Sequence, residues 1–303
     1  SSESASHVRS ICDAKEIPMI ETRLGAPTTH VISLHPTPND LARAYLDLIT
    51  EWNWPGFTIL YEDAPWLPVI DVIMRNYTNK FTVAVRQLDV TENANYRPRL
   101  LQIKHSGDKN IVICCSIEKL PEILKQAQQV GLLSNKHHIL VTNLDMHTID
   151  LEPFQYGGTN ITGLRLINPN DEYVKEIEDF FEKKFLEKSN PAEASEGEED
   201  AETLEMPEGL QADKMRLETA LTFDAVMLFA HSLKRIADLK PDPVDCTDPN
   251  TIFKSGTTLL NFMRSAEPFR GLSGEIKFGQ FGNRSNFNLE VYELVSNGIK
   301  KAG

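Results

Sequence analysis

Apolar positions along this chain switch between two periods. From about Ala5 to Glu16, Val8, Ile11 and Cys12 recur at helical spacing. Ile17-Pro18-Met19-Ile20 follows as a short extended piece. Pro18 has no N–H and pushes Ile17 out of the α region. His30–Leu34 is the next β-rich run, closed by His35-Pro36-Thr37-Pro38. A helix is expected from about Asp40 to Trp52, with Leu41, Ala44, Tyr45, Leu48, Ile49 and Trp52 in one stripe. Phe57–Tyr61 is then almost continuously apolar, as a strand buried on both faces of a parallel sheet must be.

The alternation continues. A helix at about Leu67–Asn76 precedes a strand at Phe81–Val85, and a helix at about Asn95–His105 precedes a strand at Ile111–Cys115. Ser116 can cap a helix to Val130 whose stripe is Leu120, Ile123, Leu124, Ala127 and Val130, and Gly131 stands where a left-handed end is wanted. His138–Thr142 is the next strand. This βαβαβαβ rhythm predicts a doubly wound parallel sheet. Asn160–Ile167 reads as another strand. A helix at about Glu172–Lys188 turns Val174, Ile177, Phe180, Phe181 and Phe185 inward. A further helix at about Asp213–Ala237 runs through Leu217, Leu221, Val226, Leu228, Phe229 and Leu233, and a shorter one spans about Thr257–Ala266. Gly274–Phe278 and Phe287–Leu294, joined by Gly279–Asn283, read as a β-hairpin.

Length and charge narrow the picture. The 303 residues suit two lobes better than one core. A net charge of −13 argues against nucleic acid and anionic lipid as partners. Nine acids and no Lys or Arg lie between Ser189 and Asp213, which reads as a solvated loop. No apolar run is long enough to span a bilayer. The four cysteines (Cys12, Cys114, Cys115, Cys246) show no metal-ligand spacing. Three N-glycosylation sequons begin at Asn76, Asn160 and Asn283, each near the end of an expected element.

Candidate chemistry is sparse. There is no nucleophile elbow, Walker loop or dinucleotide fingerprint. The chain is therefore read as non-enzymatic, with no cofactor and no metal. Cys114-Cys115 sits at a strand end, where inert burial is preferred to redox chemistry. His137-His138 lacks a third ligand at a defined spacing. Glu62-Asp63 follows a strand, and ligands of open α/β sheets bind at the carboxyl ends of strands. Ser1 and Ser2 open a helix, whose free N–H groups can hold a carboxylate. These four are the candidate cleft contacts, each with an ordinary structural alternative.

Several stretches together resemble the amino-terminal domain of kainate-type ionotropic glutamate receptors. They are Ile11-Cys12-Asp13-Ala14-Lys15-Glu16-Ile17-Pro18-Met19-Ile20, Phe57–Asp63, Ile123–Ala127 with Gly131, Leu144-Asp145, Leu151-Glu152-Pro153, Asn160–Leu166, Phe223–Val226 and Gly271–Phe278. The resemblance implies a periplasmic-binding-protein type I fold with two doubly wound lobes and a C-terminal β-hairpin. One lobe is expected at 1–34 plus 164–270 and the other at 35–163 plus 271–303. It also implies an extracellular, postsynaptic domain of a glutamate-gated channel. Its partners would be a second copy or sister subunits, with synaptic or auxiliary proteins as further candidates, and it would meet the membrane only through the rest of the receptor. The helix carrying Leu120, Ile123, Leu124 and Ala127 is a candidate pairing surface. The family has further first-lobe elements before the position of Ser1, and it pairs the cysteine matching Cys246 with one in that segment. The alternative is a clamshell that closes on an amino acid.

Overall fold

A computed structural model describes residues 2–25, 30–77, 83–88, 95–189, 208–235, 253, 255–279 and 282–302; the side chains of 2–5, 186–189 and 208 fall outside that description. Cys246 and most of the acidic stretch lie outside the described residues.

The elements follow in the order α1 (Ser2–Ala14), β1 (Met19–Glu21), β2 (Val31–Ser33), α2 (Pro38–Glu51), β3 (Phe57–Tyr61), α3 (Leu67–Asn76), β4 (Val83–Gln87), α4 (Arg97–Ser106), β5 (Asn110–Cys114), α5 (Leu120–Val130), β6 (His138–Val141) and β7 (Asn160–Arg165). Then come α6 (Glu172–Ser189), α7 (Leu217–Lys234), α8 (Gly256–Arg264), β8 (Phe269–Gly271), β9 (Gly274–Phe278), β10 (Arg284–Ser285), β11 (Glu290–Val295) and β12 (Gly298–Lys301). Caps set several of these bounds. Thr37 is extended and accepts from the Asp40 N–H at 3.2 Å, with Pro38 in the first turn of α2. Gly131 closes α5 at φ 79°, as its position predicted.

The second lobe is a seven-stranded sheet in the order β12-β11-β7-β6-β5-β3-β4. Strands β7 to β4 are mutually parallel, and β11 and β12 are antiparallel additions. Because successive residues point to opposite faces, each strand feeds two cores. Ile59, Val112 and Leu140 pack with α2 and α3; Leu60, Ile113, Ile139 and Val141 pack with α4 and α5. This is the doubly wound arrangement that the rhythm of the chain predicted.

The first lobe holds much less sheet among the described residues. β1 and β2 form a parallel pair, Met19 opposite Val31; α8 packs on β2, and α7 packs on α8 and β8. Gly256 starts α8 where a Cβ would stand 1.7 Å from the Glu16 carbonyl oxygen, so only glycine permits that approach. Strands β8, β9 and β10 make a small antiparallel sheet, and Asn283 bridges to Ser33 at the end of β2. The chain rejoins the seven-stranded sheet at β11.

A buried polar knot ties these segments together. Asp224 of α7 accepts the N–H groups of Leu272 (2.7 Å) and Ser273 (3.1 Å) and the Ser273 hydroxyl. Arg284 donates to the Ser273 hydroxyl at 2.7 Å and to the Ser273 and Glu275 carbonyls. Burial raises the Asp224 carboxyl and lowers the Arg284 guanidinium to about 10. At Gly271 a Cβ would press on the Asp224 carboxylate at 2.4 Å, so this residue too must be glycine.

Three expectations are corrected. The C-terminal hairpin is β11–β12, with Val295 opposite Gly298; β9 pairs instead with β8 and β10. Alternation marks a strand but not its partner. Ser116 does not cap α5, because the helix begins at Leu120 with Lys119 at its N-cap position. On α6, Phe180 faces solvent rather than the core; on α7, Val226, Phe229 and Leu233 are exposed as well. Cys12 is half-exposed, whereas Cys114 and Cys115 are buried, with burial pushing the Cys114 thiol up to about 12.

Candidate functional site

A cavity of about 380 Å³ opens between the lobes. Its floor is the carboxyl end of the parallel strands, where α/β folds hold ligands. Ser116 follows β5, and Thr142 and Asn143 follow β6. The opposite wall comes from Thr22-Arg23-Leu24, after β1, and from Arg216-Leu217-Glu218, at the start of α7. The cavity is large enough for a free amino acid, at the lower end of the usual small-molecule range.

The charged groups on its walls are already paired with one another. Arg23 donates Nε at 2.9 Å and Nη2 at 2.6 Å to one oxygen of Glu218. Arg216 reaches across the cleft to Glu118 at 3.1 Å. Asp145, after β6, accepts the Leu217 N–H at 2.7 Å and so caps α7 from the other lobe. Burial nevertheless raises the Asp145 carboxyl, outweighing that bond and the neighbouring Arg216 and Arg165. Two further side chains clamp the same stretch. His147 contacts the Met215 carbonyl at 3.1 Å, and Arg165 donates to the Ala212 carbonyl at 2.6 Å. Burial keeps His147 neutral, with its pKa down at about 4.

Among the candidate cleft contacts, Glu62 reaches the cavity only through Ser116, which lines it. It accepts the Ser116 N–H at 2.6 Å and pairs with Lys119 at 2.6 Å. Burial works against its charge, but Lys119 and Ser116 prevail and hold the carboxyl below the ordinary range. Glu62 therefore orders the turn after β5 instead of presenting a vacant carboxylate. Burial, together with Glu62, raises the neighbouring Asp63. Ser1 lies outside the described residues, and of Ser2 only the helical backbone is described.

Leu120, Ile123, Leu124 and Ala127 do not form a surface. Their exposures are 0, 0, 0 and 2%, and they seal one face of the seven-stranded sheet. The apolar stripe of an amphipathic helix is its core face by default, and α5 follows that rule. Asn76 ends α3 and Asn160 begins β7, both exposed; Asn283 is half-buried beside the buried Arg284.

Sequence reading missed Arg23, Arg216, Glu218 and Asp145 as cleft residues. The rule that ligands meet the ends of strands could have found Ser116, Thr142 and Asn143. No local signal marks Arg23 or Arg216, since their neighbours in space come from distant parts of the chain.

Comparison with known proteins bears on the whole of this architecture. The family described as the receptor family ligand binding region matches residues 1–297. The chain is 31% identical over 309 residues to the ionotropic glutamate receptor kainate 1 of Mus musculus, a match covering all of this chain and 35% of that protein. It is 31% identical over 308 residues to the kainate 1 receptor of Homo sapiens, covering 99% of this chain and 32% of that protein. The chain thus spans about a third of the length of the curated relatives it matches.

Proposed function

The chain belongs to the receptor family ligand binding region family, and on that premise we propose that it is the extracellular amino-terminal domain of a kainate-type glutamate receptor subunit, working in subunit pairing and assembly without catalysis. The observation that carries this reading is the distribution of exposed apolar side chains. On α7, Val226, Phe229 and Leu233 are 62, 41 and 41% exposed at i, i+3 and i+7, a single stripe along the helix. Val8 and Ile11 form a second, shorter stripe on α1. Contiguous exposed apolar stripes mark protein contacts, and a two-fold pairing would bury each stripe against its copy or a sister subunit. Synaptic or auxiliary proteins and a postsynaptic setting belong to the same reading.

Sedimentation equilibrium tests it. The chain should associate reversibly, and Val226→Asp with Phe229→Asp should weaken association by at least about tenfold, since each charge would be buried unpaired. A monomer at all concentrations, alone and with sister subunits, would overturn the assembly reading.

A second reading is favoured by the cavity of about 380 Å³ at the strand ends. There the cleft closes on a free amino acid, with Arg216 and Ser116 facing its carboxylate. The cross-paired charges speak against it, because a ligand must first break Arg216–Glu118 or Arg23–Glu218. Calorimetry with glutamate separates the two: saturable heat abolished by Arg216→Ala would favour the clamshell, and its absence leaves assembly as the function.

A further inference from the structure

At the pole of the second lobe opposite the cleft, aromatic rings gather at the amino ends of the strands. The Trp52 ring lies 4.2 Å from the His138 ring, and Trp54 stands 4.9 Å from His138 and 5.2 Å from Trp52, so the three rings form one cluster. Trp54 is buried, whereas Trp52 and His138 are only half covered. Burial holds His138 neutral, its pKa lowered to about 4, so the ring is an uncharged platform at physiological pH. A half-wet Trp edge against a neutral imidazole is an unusual surface to leave bare, because such rings favour one apolar and one polar side.

Asn160, the first residue of a sequon, stands directly opposite His138 in the parallel ladder. Residues two apart share a face, so Asn160, Thr162, His138 and Leu140 all lie on the side covered by α2, which carries Trp52 just past its end. The polar links are short. His138 Nε2 is 3.1 Å from the Thr162 hydroxyl, and that hydroxyl lies 3.4 Å from the Asn160 carboxamide oxygen. The exposed carboxamide of Asn160 is therefore two hydrogen-bond links from the ring pair.

We propose that Asn160 carries an N-linked glycan whose first sugar rests on Trp52 and His138. The apolar face of a pyranose, with its axial C–H bonds, stacks on aromatic rings, while its hydroxyls keep to water. The transfer forms a bond from Asn160 Nδ2 to C1 of the sugar and breaks the C1–oxygen bond of a lipid-linked oligosaccharide diphosphate. The lipid diphosphate leaves and one amide proton is lost. Thr162, which completes the sequon, is fully buried in the folded chain. Transfer must therefore precede closure of β7 onto β6, and the hydroxyl then turns to His138. The exposed Asn160 end of the strand leaves the sugar outside, against the platform.

The test uses the full-length protein made in eukaryotic secretory cells. Peptide mass mapping after amidase deglycosylation should show Asn160 converted to Asp. Thermal unfolding is then compared for the wild type and Asn160→Gln, each with Trp52 and with Trp52→Leu. The glycan should raise Tm by roughly 1–3 °C with Trp52 present, and the gain should vanish in Trp52→Leu. The acetamido methyl protons of the first sugar should also shift upfield in the wild type alone. That second readout stands if Trp52→Leu loses stability for other reasons. An unmodified Asn160 beside a glycosylated Asn76 or Asn283 overturns this proposal alone; no glycan at any sequon overturns the extracellular reading with it. An equal glycan effect in both Trp52 backgrounds, without the proton shift, overturns the stacking.

Discussion

The two lobes solve the same packing problem to different depths. In the second, strands β3, β5, β6 and β7 are covered on both faces, and each buries side chains in two separate cores. In the first, among the described residues, α8 packs on the short parallel pair and α7 packs on α8, while α1 and α7 leave apolar stripes in solvent. Their helices show the same contrast. On α5 the apolar stripe is entirely inside, and on α7 the apolar residues encircle the helix so that one face must remain outside. A helix that is apolar all round is either wholly buried or shared with a neighbour. The difference teaches that the second lobe buries both faces of its sheet, whereas among the described residues the buried apolar side chains of α7 and α8 are accompanied by the polar ties around Asp224 and Arg284.

The sharpest way to break that comparison is at the buried knot. Asp224→Ala leaves Arg284 buried without its acidic neighbour and removes the acceptor for Leu272 and Ser273, at a cost of about 3–5 kcal/mol. In urea unfolding the loss should fall on an early transition of the first lobe. A single transition that moves as one unit would show that the lobes are not separable in stability. Leu124→Ala in α5 should cost about 3 kcal/mol and shift the later transition, since a fully buried leucine leaves a cavity.

Acid sharpens the comparison next. Burial holds His35, His138 and His147 down at about 4 from an ordinary 6.5. A base with a depressed folded pKa contributes stability above its unfolded value, and that contribution is lost as pH falls through the folded one. Stability should therefore decline from about pH 6.5 to about pH 4. His35 lies where the chain crosses from β2 to α2, and His147 clamps Met215 across the cleft, so the contact between lobes should loosen first. Asp145 and Asp224, raised by burial, act in the opposite direction within the carboxylate range. Denaturant midpoints at stepped pH check this, and the His147→Gln variant should flatten the slope.

The smallest effects are expected on the surface. Arg216→Ala should cost less than about 1 kcal/mol, because the pair with Glu118 is exposed. Val226→Ser should change monomer stability by no more than about 0.5 kcal/mol while weakening association. A large stability loss from Val226→Ser would mean that α7 is covered within the monomer, and the comparison between the lobes would fail.

Much of this was legible from residues alone. The continuous apolar run Phe57–Tyr61, the stripe of α5, and Gly131 as its left-handed end each have a local cause, so each stands where periodicity and capping put it. The same local logic misassigned partners. Gly274–Phe278 was a strand but not the mate of 290–295, and Leu120, Ile123, Leu124 and Ala127 formed a stripe that closed a core instead of meeting a copy. Glu62 was found as an acid at a strand end, yet its binding to Lys119 and Ser116 depends on residues more than fifty positions away. Sequence by itself determined the alternation of strands and helices, the sequons and the lack of catalytic motifs, because period, composition and spacing are properties of neighbours along the chain. Only the tertiary structure decided which face of each helix meets water, which charges cancel across the cleft, and that Asn160 comes to lie opposite His138, whose ring meets Trp52. Those outcomes depend on contacts between residues far apart in sequence, and local pattern does not encode them.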